Sequence, residues 1–171
     1  MALAVTTNLT LNLAATGTNS IDLETLRTVL AYSANKALAS GTGANQANVL
    51  WSDQRTLVAS ATEDLDLAGV LIDAFGKTVT FTKVKMILFF AAAANTNNVN
   101  VTRPAAAGVP LFLAAEDGIG IRPGGLLLIS QPDNTGVAVT ATTGDLITIT
   151  NSAGGTSVVY DVIIIGVGTV S

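Results

Sequence analysis

TVTFTKVKMILFF, residues 78–90, is the stretch that decides the fold of this chain. Apolar and polar residues alternate along it, which is the period of a β-strand. The alternation changes phase partway, so that one apolar set follows another: Val79 and Phe81, then Val84, Met86 and Leu88. We expect a bulge near Thr82 and Lys83, because an extra residue there would turn both sets toward the same core and leave Lys83 and Lys85 pointing away.

The second half of this stretch is also apolar on its opposite face, where Ile87 and Phe89 lie. Residues 157–167 repeat the pattern, with one apolar set on each face: Tyr160, Val162 and Ile164 against Val159, Ile163 and Ile165. A strand that is apolar on both faces must be covered on both. In a two-sheet sandwich, the second cover is most simply another subunit.

From Trp51 onward, short apolar runs rich in Val, Ile, Thr and Leu alternate with clusters of Gly, Asn, Asp, Pro and Thr. This spacing is typical of an all-β sandwich or barrel. The tetrapeptide Arg122-Pro123-Gly124-Gly125 predicts a type II turn, since proline fixes φ at the first central position and glycine accepts a positive φ at the second. We therefore expect a strand on either side of it.

The first 40 residues allow two interpretations. Val5, Leu9, Leu11 and Leu13 alternate with Thr and Asn, which indicates an extended N-terminal arm or an edge strand. Residues 20–39 fit an amphipathic helix slightly better by periodicity, with Ser20 as its cap. They also fit a strand over residues 26–38 that carries four residues on one face: Leu26, Thr28, Leu30 and Tyr32. We divide the chain into an arm, residues 1–20, and a single β-sandwich domain, residues 21–171.

The composition argues against catalysis. The 171 residues include no histidine and no cysteine, 49% are hydrophobic and 12% are charged. The commonest general base, the commonest nucleophile pairs and most transition-metal ligands are therefore missing. A Ser33 and Lys36 pair lacks a nucleophile turn. The carboxylates of residues 63–66 with Asp73 lack the glycine-centred calcium loop. We expect no enzyme, no catalytic residues, no metal and no cofactor.

Charge and hydropathy also limit the partners. Eight basic and twelve acidic residues give a net charge of -4, which is not the footprint of a nucleic-acid binder. The longest apolar run, residues 86–94, is shorter than the roughly 20 residues of a spanning helix, so we expect no membrane partner. The first residues show no basic or apolar leader, so we expect no secretion signal. Stability must come from packing and association.

Many short matches, in order, resemble a small structural-protein family of tailed bacteriophages and prophages. They cover about residues 41–166: GTGANQANVLWSDQRTLVAS at 41–60, EDLDLAG at 63–69, DAFG at 73–76, TFTKVK at 80–85, NTNN at 95–98, PGG at 123–125, GDL at 144–146, NS at 151–152 and YDVIIIG at 160–166. The resemblance implies a jelly-roll-like β-sandwich and a capsid decoration, or cement, protein, and it favours the strand over the helix at residues 20–39. It brings no catalytic residues.

We therefore expect a virion protein on the capsid exterior, assembled in the host cytoplasm, whose partners are the major capsid protein and copies of itself, with a trimer favoured. The candidate subunit or capsid interface consists of apolar residues: Leu9, Leu11, Leu13, Trp51, Ile87, Phe89, Phe90, Ile163 and Ile165. The alternative is a tail-fibre or head-fibre module that binds a host polysaccharide through an exposed Trp51 or through the Asn95-to-Asn98 loop.

Overall fold

The computed structural model describes residues 4–171, and within that range the chain forms thirteen strands in three sheets and no helix. The all-β class expected from the sequence is confirmed. No described segment is a helix that could cross a membrane. The number of sheets differs from the expected two, because the N-terminal segment builds a small sheet of its own.

The first sheet is a long antiparallel hairpin with a short parallel strand at its base. Its strands are β1 (Thr7–Ser20), β2 (Thr25–Ser40) and β3 (Gln46–Ala47). Fourteen residue pairs join β1 to β2 without a register shift. At about 3.4 Å per residue, β1 extends for about 45 Å. The strand alternative for residues 20–39 is therefore the correct one, and residue 20, the expected end of an arm, lies at the turn of the hairpin.

The second sheet has six strands, in the order β10-β7-β13-β4, with β6 and β11 also paired to β7. Their bounds are β4 (Val49–Leu57), β6 (Leu71–Ile72), β7 (Thr78–Ala91), β10 (Leu126–Ser130), β11 (Val137–Ala138) and β13 (Val158–Val170). The third sheet has four strands in the order β5-β12-β8-β9. These are β5 (Thr62–Asp66), β8 (Val99–Thr102), β9 (Gly118–Ile121) and β12 (Leu146–Asn151).

One core joins the six-stranded and four-stranded sheets. Its fully buried members come from both, among them Phe81, Ile87, Phe89, Tyr160 and Ile164 from one sheet and Leu65, Val101, Ile147 and Ile149 from the other. The turn at Arg122 to Gly125 forms as expected, since Gly124 has φ 76° and the amide of Gly125 donates to the carbonyl of Arg122 at 2.8 Å. It connects β9 and β10.

The register between β7 and β13 slips twice. One slip skips Thr82 and is the bulge that the sequence predicts; the other skips Lys85 and is not. The second slip returns the strand to its earlier phase, so that Ile87 and Phe89 face the core between the sheets while Met86 and Leu88 face outward. The expected orientation of these four residues was therefore wrong, because one bulge alone was inferred.

Lys85 is buried at the second bulge, and its Nζ donates to the carbonyl oxygen of Asp133 in the loop between β10 and β11. Burial, reinforced by the neighbouring charge of Lys83, holds the pKa of Lys85 below its usual value. The Nζ of Lys83 donates to the carbonyl of Asn134 at 2.8 Å. Both lysines thus anchor one loop beside the bulge, where the regular pairing of β7 with β13 is interrupted.

Candidate functional site: two exposed apolar faces

The hairpin of β1 and β2 is amphipathic. Residues opposite one another in an antiparallel pair share a face, so the register places one apolar set together: Leu9, Leu11, Leu13, Ala15, Leu26, Leu30, Tyr32 and Ala34, here the hairpin apolar face. The other face is mostly polar and includes Asn8, Thr10, Asn12, Thr16, Thr18, Arg27, Ser33 and Asn35. The alternation is that of a strand pair meant to be covered on one side.

Most of the hairpin apolar face is open to solvent. Leu11, Leu13, Leu26, Leu30 and Tyr32 are each between 50% and 54% exposed. A two-stranded ribbon has no core of its own, and a soluble monomer rarely leaves a contiguous apolar patch of this length uncovered. The five side chains therefore form a surface that is suited to docking.

The base of the hairpin is fixed to the body by a second, smaller group of buried residues. This minor cluster consists of Val5, Leu38, Ala47, Met86 and Ile165, with Leu9 and Ile163 packed against it. Leu38 is 1% exposed, in contrast to the leucines farther along the same face. The amide of Gly41 also donates to the carbonyl of Ala47 at 3.0 Å, which closes the base. The hairpin is thus anchored at one end and exposed beyond it.

The outer face of the six-stranded sheet is the second apolar surface. The register of β4, β7, β10 and β13 places eight large apolar residues on it: Leu50, Met86, Leu88, Phe90, Leu126, Leu128, Ile163 and Ile165, here the outer sheet face. Polar residues on the same side are Ser52, Gln54, Ser130 and Asp161. The minor cluster covers Met86 and Ile165, whereas Leu126 is 63% and Leu50 40% exposed. Part of this face is therefore covered by the chain itself, and the remainder is open.

The nine residues predicted as an interface divide into three groups. Leu9, Leu11 and Leu13 lie on the hairpin apolar face, and Phe90, Ile163 and Ile165 lie on the outer sheet face. The other three, Trp51, Ile87 and Phe89, lie in the core between the sheets and are at most 3% exposed. This last group cannot contact a partner without unfolding. Sequence reasoning missed Leu126 and Leu128, and it placed Leu88 toward the core because it did not include the second bulge.

The groups considered for polysaccharide binding are engaged inside the fold. The Nε1 of Trp51 donates to the carbonyl of Ile72 at 3.0 Å. Asn95 exchanges two hydrogen bonds with the backbone of Val159, and Asn97 donates to the carboxamide of Asn151 at 2.9 Å. The indole is therefore not a stacking platform, and these amides tie the 95–98 loop to its neighbours.

A polar cluster links the two main sheets. Glu63 accepts hydrogen bonds from the guanidinium of Arg55, through Nε at 2.8 Å, and from the hydroxyl of Tyr160 at 2.8 Å. Arg55 also forms an ion pair with Asp53 at 3.0 Å. Partial burial opposes ionisation of Glu63, yet its hydrogen bonds with Arg55 and Tyr160 outweigh it and hold the pKa below the usual value. Burial first, and then Glu63, raises the pKa of Tyr160.

Within residues 4–171 no three acidic side chains converge as a metal site. Asp64 in β5 accepts a hydrogen bond from its cross-strand partner Thr148 in β12 at 2.5 Å. Asp73 lines a groove of about 760 Å³ beside Phe75 and Ser171, but its Oδ1 accepts the backbone amides of Phe75 and Lys77 at 2.8 and 2.9 Å. Both carboxylates therefore have structural hydrogen-bond partners.

Comparisons of the chain with protein-family models, with curated proteins and with solved structures find no match. The function therefore has to be argued from the exposed apolar faces of this chain and from the sequence resemblance.

Proposed function

We propose that this protein is a non-enzymatic structural component of a tailed-phage virion, a capsid decoration or cement protein. It binds the outer capsid surface and stabilises contacts between capsid subunits. Its two main sheets would form a jelly-roll-type sandwich, and its N-terminal hairpin would reach a neighbouring subunit. The observation that carries the proposal is the hairpin apolar face, which is anchored to the body at one end and exposed for about 27 Å beyond it.

A cement protein must contact two neighbouring subunits at once. The outer sheet face and the hairpin apolar face offer two contact regions on one chain, joined by the minor cluster. Burying the five half-exposed side chains of the hairpin contributes about 1 kcal/mol each, or about 5 kcal/mol before the cost of association. The cost of association, about 4 kcal/mol or more, offsets most of that gain, so the contact also depends on the outer sheet face and on repetition over a symmetric shell.

The chain composition fits this role. Few charges and no cysteine leave apolar burial and β-pairing as the means of association. A protein bound at a symmetric shell is expected to form a closed homo-oligomer, and a trimer remains the favoured form. Its partners are then the major capsid protein and copies of itself. The protein lies on the capsid exterior and is assembled there in the host cytoplasm.

The fibre module is the weaker candidate, because no structural observation favours it. Its two proposed contact groups, Trp51 and the 95–98 loop, make hydrogen bonds within the chain. Binding to tails instead of shells is the result that would restore it.

The test is co-sedimentation of the purified protein with bare capsid shells of the phage that encodes it, with detached tails in parallel. Saturable binding to shells alone, with a stoichiometry that matches a symmetry position, is the expected result. Shells that carry the protein should also rupture at higher temperature or stronger osmotic shock than bare shells. Binding to tails alone, or to neither, would overturn the proposal, and equal rupture thresholds would remove the stabilising role.

A further inference from the structure

We infer that the hairpin apolar face is where copies of this chain pack against one another. The inference rests on the proposed oligomeric virion role and deepens it, because it locates the subunit contact and names its occupant. The occupant is the same face of a second copy, so that two or more hairpins lie with their apolar faces together and their polar faces toward solvent.

The charge of the hairpin apolar face supports a self-complementary contact. From the Leu11–Ala34 pair to the Asn19–Leu26 pair, this face carries no charged residue. The charged residue at its base is Lys36, which lies opposite Leu9. Arg27 lies on the polar face, and Asp22 and Glu24 lie in the turn. A hetero-partner would find no charge here to recognise, whereas a second hairpin offers a matching apolar row of the same length.

The shape of the hairpin supports the same conclusion. Its fourteen pairs run without a bulge, so the leucine and tyrosine side chains project in regular rows. Two strands about 4.8 Å apart, with their side chains, give a face about 10 Å wide, and its exposed part, from Leu11 to Asn19, extends for about 27 Å. Two such faces in contact bury on the order of 500 Å² in total, which is below the size of specific interfaces, so the contact has to continue onto the body of the protein.

The contact also continues from packing that exists within one chain. Leu38 and Leu9, on the same side of the hairpin, already pack against Met86 and Ile165 at its base. A second hairpin laid on the first would extend this buried seam from Leu9 outward over Leu11 and Leu13. Leu50, which pairs with Ile165 and is 40% exposed, lies beside this seam and adds to the area that a second copy can cover.

The experiment compares two double variants at adjacent positions on opposite faces. Leu13 and Tyr32 are a cross-strand pair on the apolar face, and Asn12 and Ser33 are the neighbouring pair on the polar face. We replace the first pair as Leu13→Thr with Tyr32→Thr and the second as Asn12→Thr with Ser33→Thr, because threonine retains strand propensity in both. Sedimentation equilibrium over a range of concentrations gives the dissociation constant of the oligomer.

We expect the apolar-face variant to raise the dissociation constant at least a hundredfold, because it removes two large side chains from each copy. The polar-face variant should leave it unchanged. A wild-type protein that stays monomeric, or an oligomer that both variants leave intact, would overturn the inference. Shell binding by the wild-type protein separates the two proposals: a wild-type oligomer that fails to bind shells contradicts the virion role alone, and a wild-type monomer that binds them contradicts the self-association alone.

A second readout does not depend on the stability of the double variant. Because the chain contains no cysteine, Leu13→Cys introduces a single thiol on the apolar face and Asn12→Cys a single thiol on the polar face. Mild oxidation should link copies through residue 13 within the native oligomer and not through residue 12. Equal crosslinking at both positions, or none at residue 13, would contradict the inference.

Discussion

Replacing Gly166 by alanine should destabilise the fold severely, because this glycine faces the bulge at Lys85. It pairs with Val84 at the point where the register between β7 and β13 slips. A Cβ atom built on Gly166 would lie 2.0 Å from the carbonyl oxygen of Lys83 and 3.1 Å from the ring of Phe81. The first distance is about 1 Å short of the 3.0 Å below which real Cβ atoms essentially never approach a neighbour. The obstacle is backbone, so it cannot turn aside as a side chain could.

The cost follows from this geometry. Overpacking by one methyl group usually costs about 1–3 kcal/mol, and a backbone obstacle belongs at the upper end of that range, about 3 kcal/mol. Gly144→Ala is the matched control, since its Cβ would meet nothing closer than 3.7 Å and its backbone has no positive φ. The control should be neutral or slightly stabilising, because alanine restricts the unfolded chain.

Urea unfolding at fixed protein concentration, followed by the fluorescence of the buried Trp51, measures both variants. With a slope of about 2–3 kcal/mol per M, a loss of about 3 kcal/mol lowers the midpoint by roughly 1–1.5 M. Equal midpoints for Gly166→Ala and Gly144→Ala would refute the close approach of the two strands at Gly166. They would also remove the physical basis for placing Ile87 and Phe89 in the core.

Two further predictions concern the anchoring of the hairpin and the polar cluster. Leu38→Ala should lower the free energy of unfolding by about 3 kcal/mol, because this side chain is fully buried. Leu13→Ala, measured at low protein concentration, should change the free energy of unfolding by less than about 0.5 kcal/mol. Equal effects of the two variants in chemical denaturation would contradict the minor cluster as the anchor of the hairpin. Glu63→Gln should cost about 2 kcal/mol at neutral pH through its bonds with Arg55 and Tyr160. Because folding lowers the pKa of Glu63, the ionised carboxylate stabilises the fold above its usual pKa of 4.5, and this stabilisation is lost as the pH falls through and below that value. In thermal melts, the difference in melting temperature between the wild-type protein and Glu63→Gln should therefore shrink at acid pH. A difference that stays constant from about pH 7 to about pH 3 would contradict the role of Glu63 in the polar cluster.

Local chemistry made part of the fold predictable. The strands of the body follow from alternation, and the turn at Gly124 follows from the proline before it and the positive φ that glycine accepts. The bulge at Thr82 was predictable because the apolar phase changes there. The bulge at Lys85 was not, because burial of a lysine depends on a carbonyl acceptor at Asp133, far along the chain.

Ambiguity at the hairpin has a different cause. Leu26 and Leu30 fit the spacing of a helix and also that of a strand, and Ser20 with Asp22 and Glu24 resembles the capped first turn of a helix. In the structure, residues 21–24 form the turn of the hairpin, in which the amide of Ile21 donates to the carbonyl of Glu24 at 2.9 Å, and Leu26 and Leu30 lie in β2. Pairing with β1 decides the outcome, and periodicity within residues 20–39 contains no information about that partner.

The polar cluster shows the same limit. Asp53 lies two residues from Arg55 in the chain and forms an ion pair with it. The more buried partner, Glu63, comes from the opposite sheet, and its hydrogen bonds with Arg55 and Tyr160 depend on how the two sheets pack. Residue types alone therefore indicate that an ion pair forms, and the packing of the sheets selects the carboxylate.

Strands that are apolar on both faces need a second cover, and in this chain the N-terminal hairpin provides part of it. The hairpin supplies that cover itself at Met86 and Ile165 and then continues beyond the body with the same apolar face. A two-stranded hairpin is marginally stable by itself. The part between the anchored base at Leu38 and the turn at residues 21–24 should therefore gain most of its stability from contacts on its apolar face. In the proposed oligomer, order in the hairpin and assembly of the protein are coupled: a second copy that covers the face gains buried area and also fixes the geometry of the contact. This coupling explains why a chain with few charges retains five half-exposed large side chains, since replacing them would weaken the hairpin and its docking surface together.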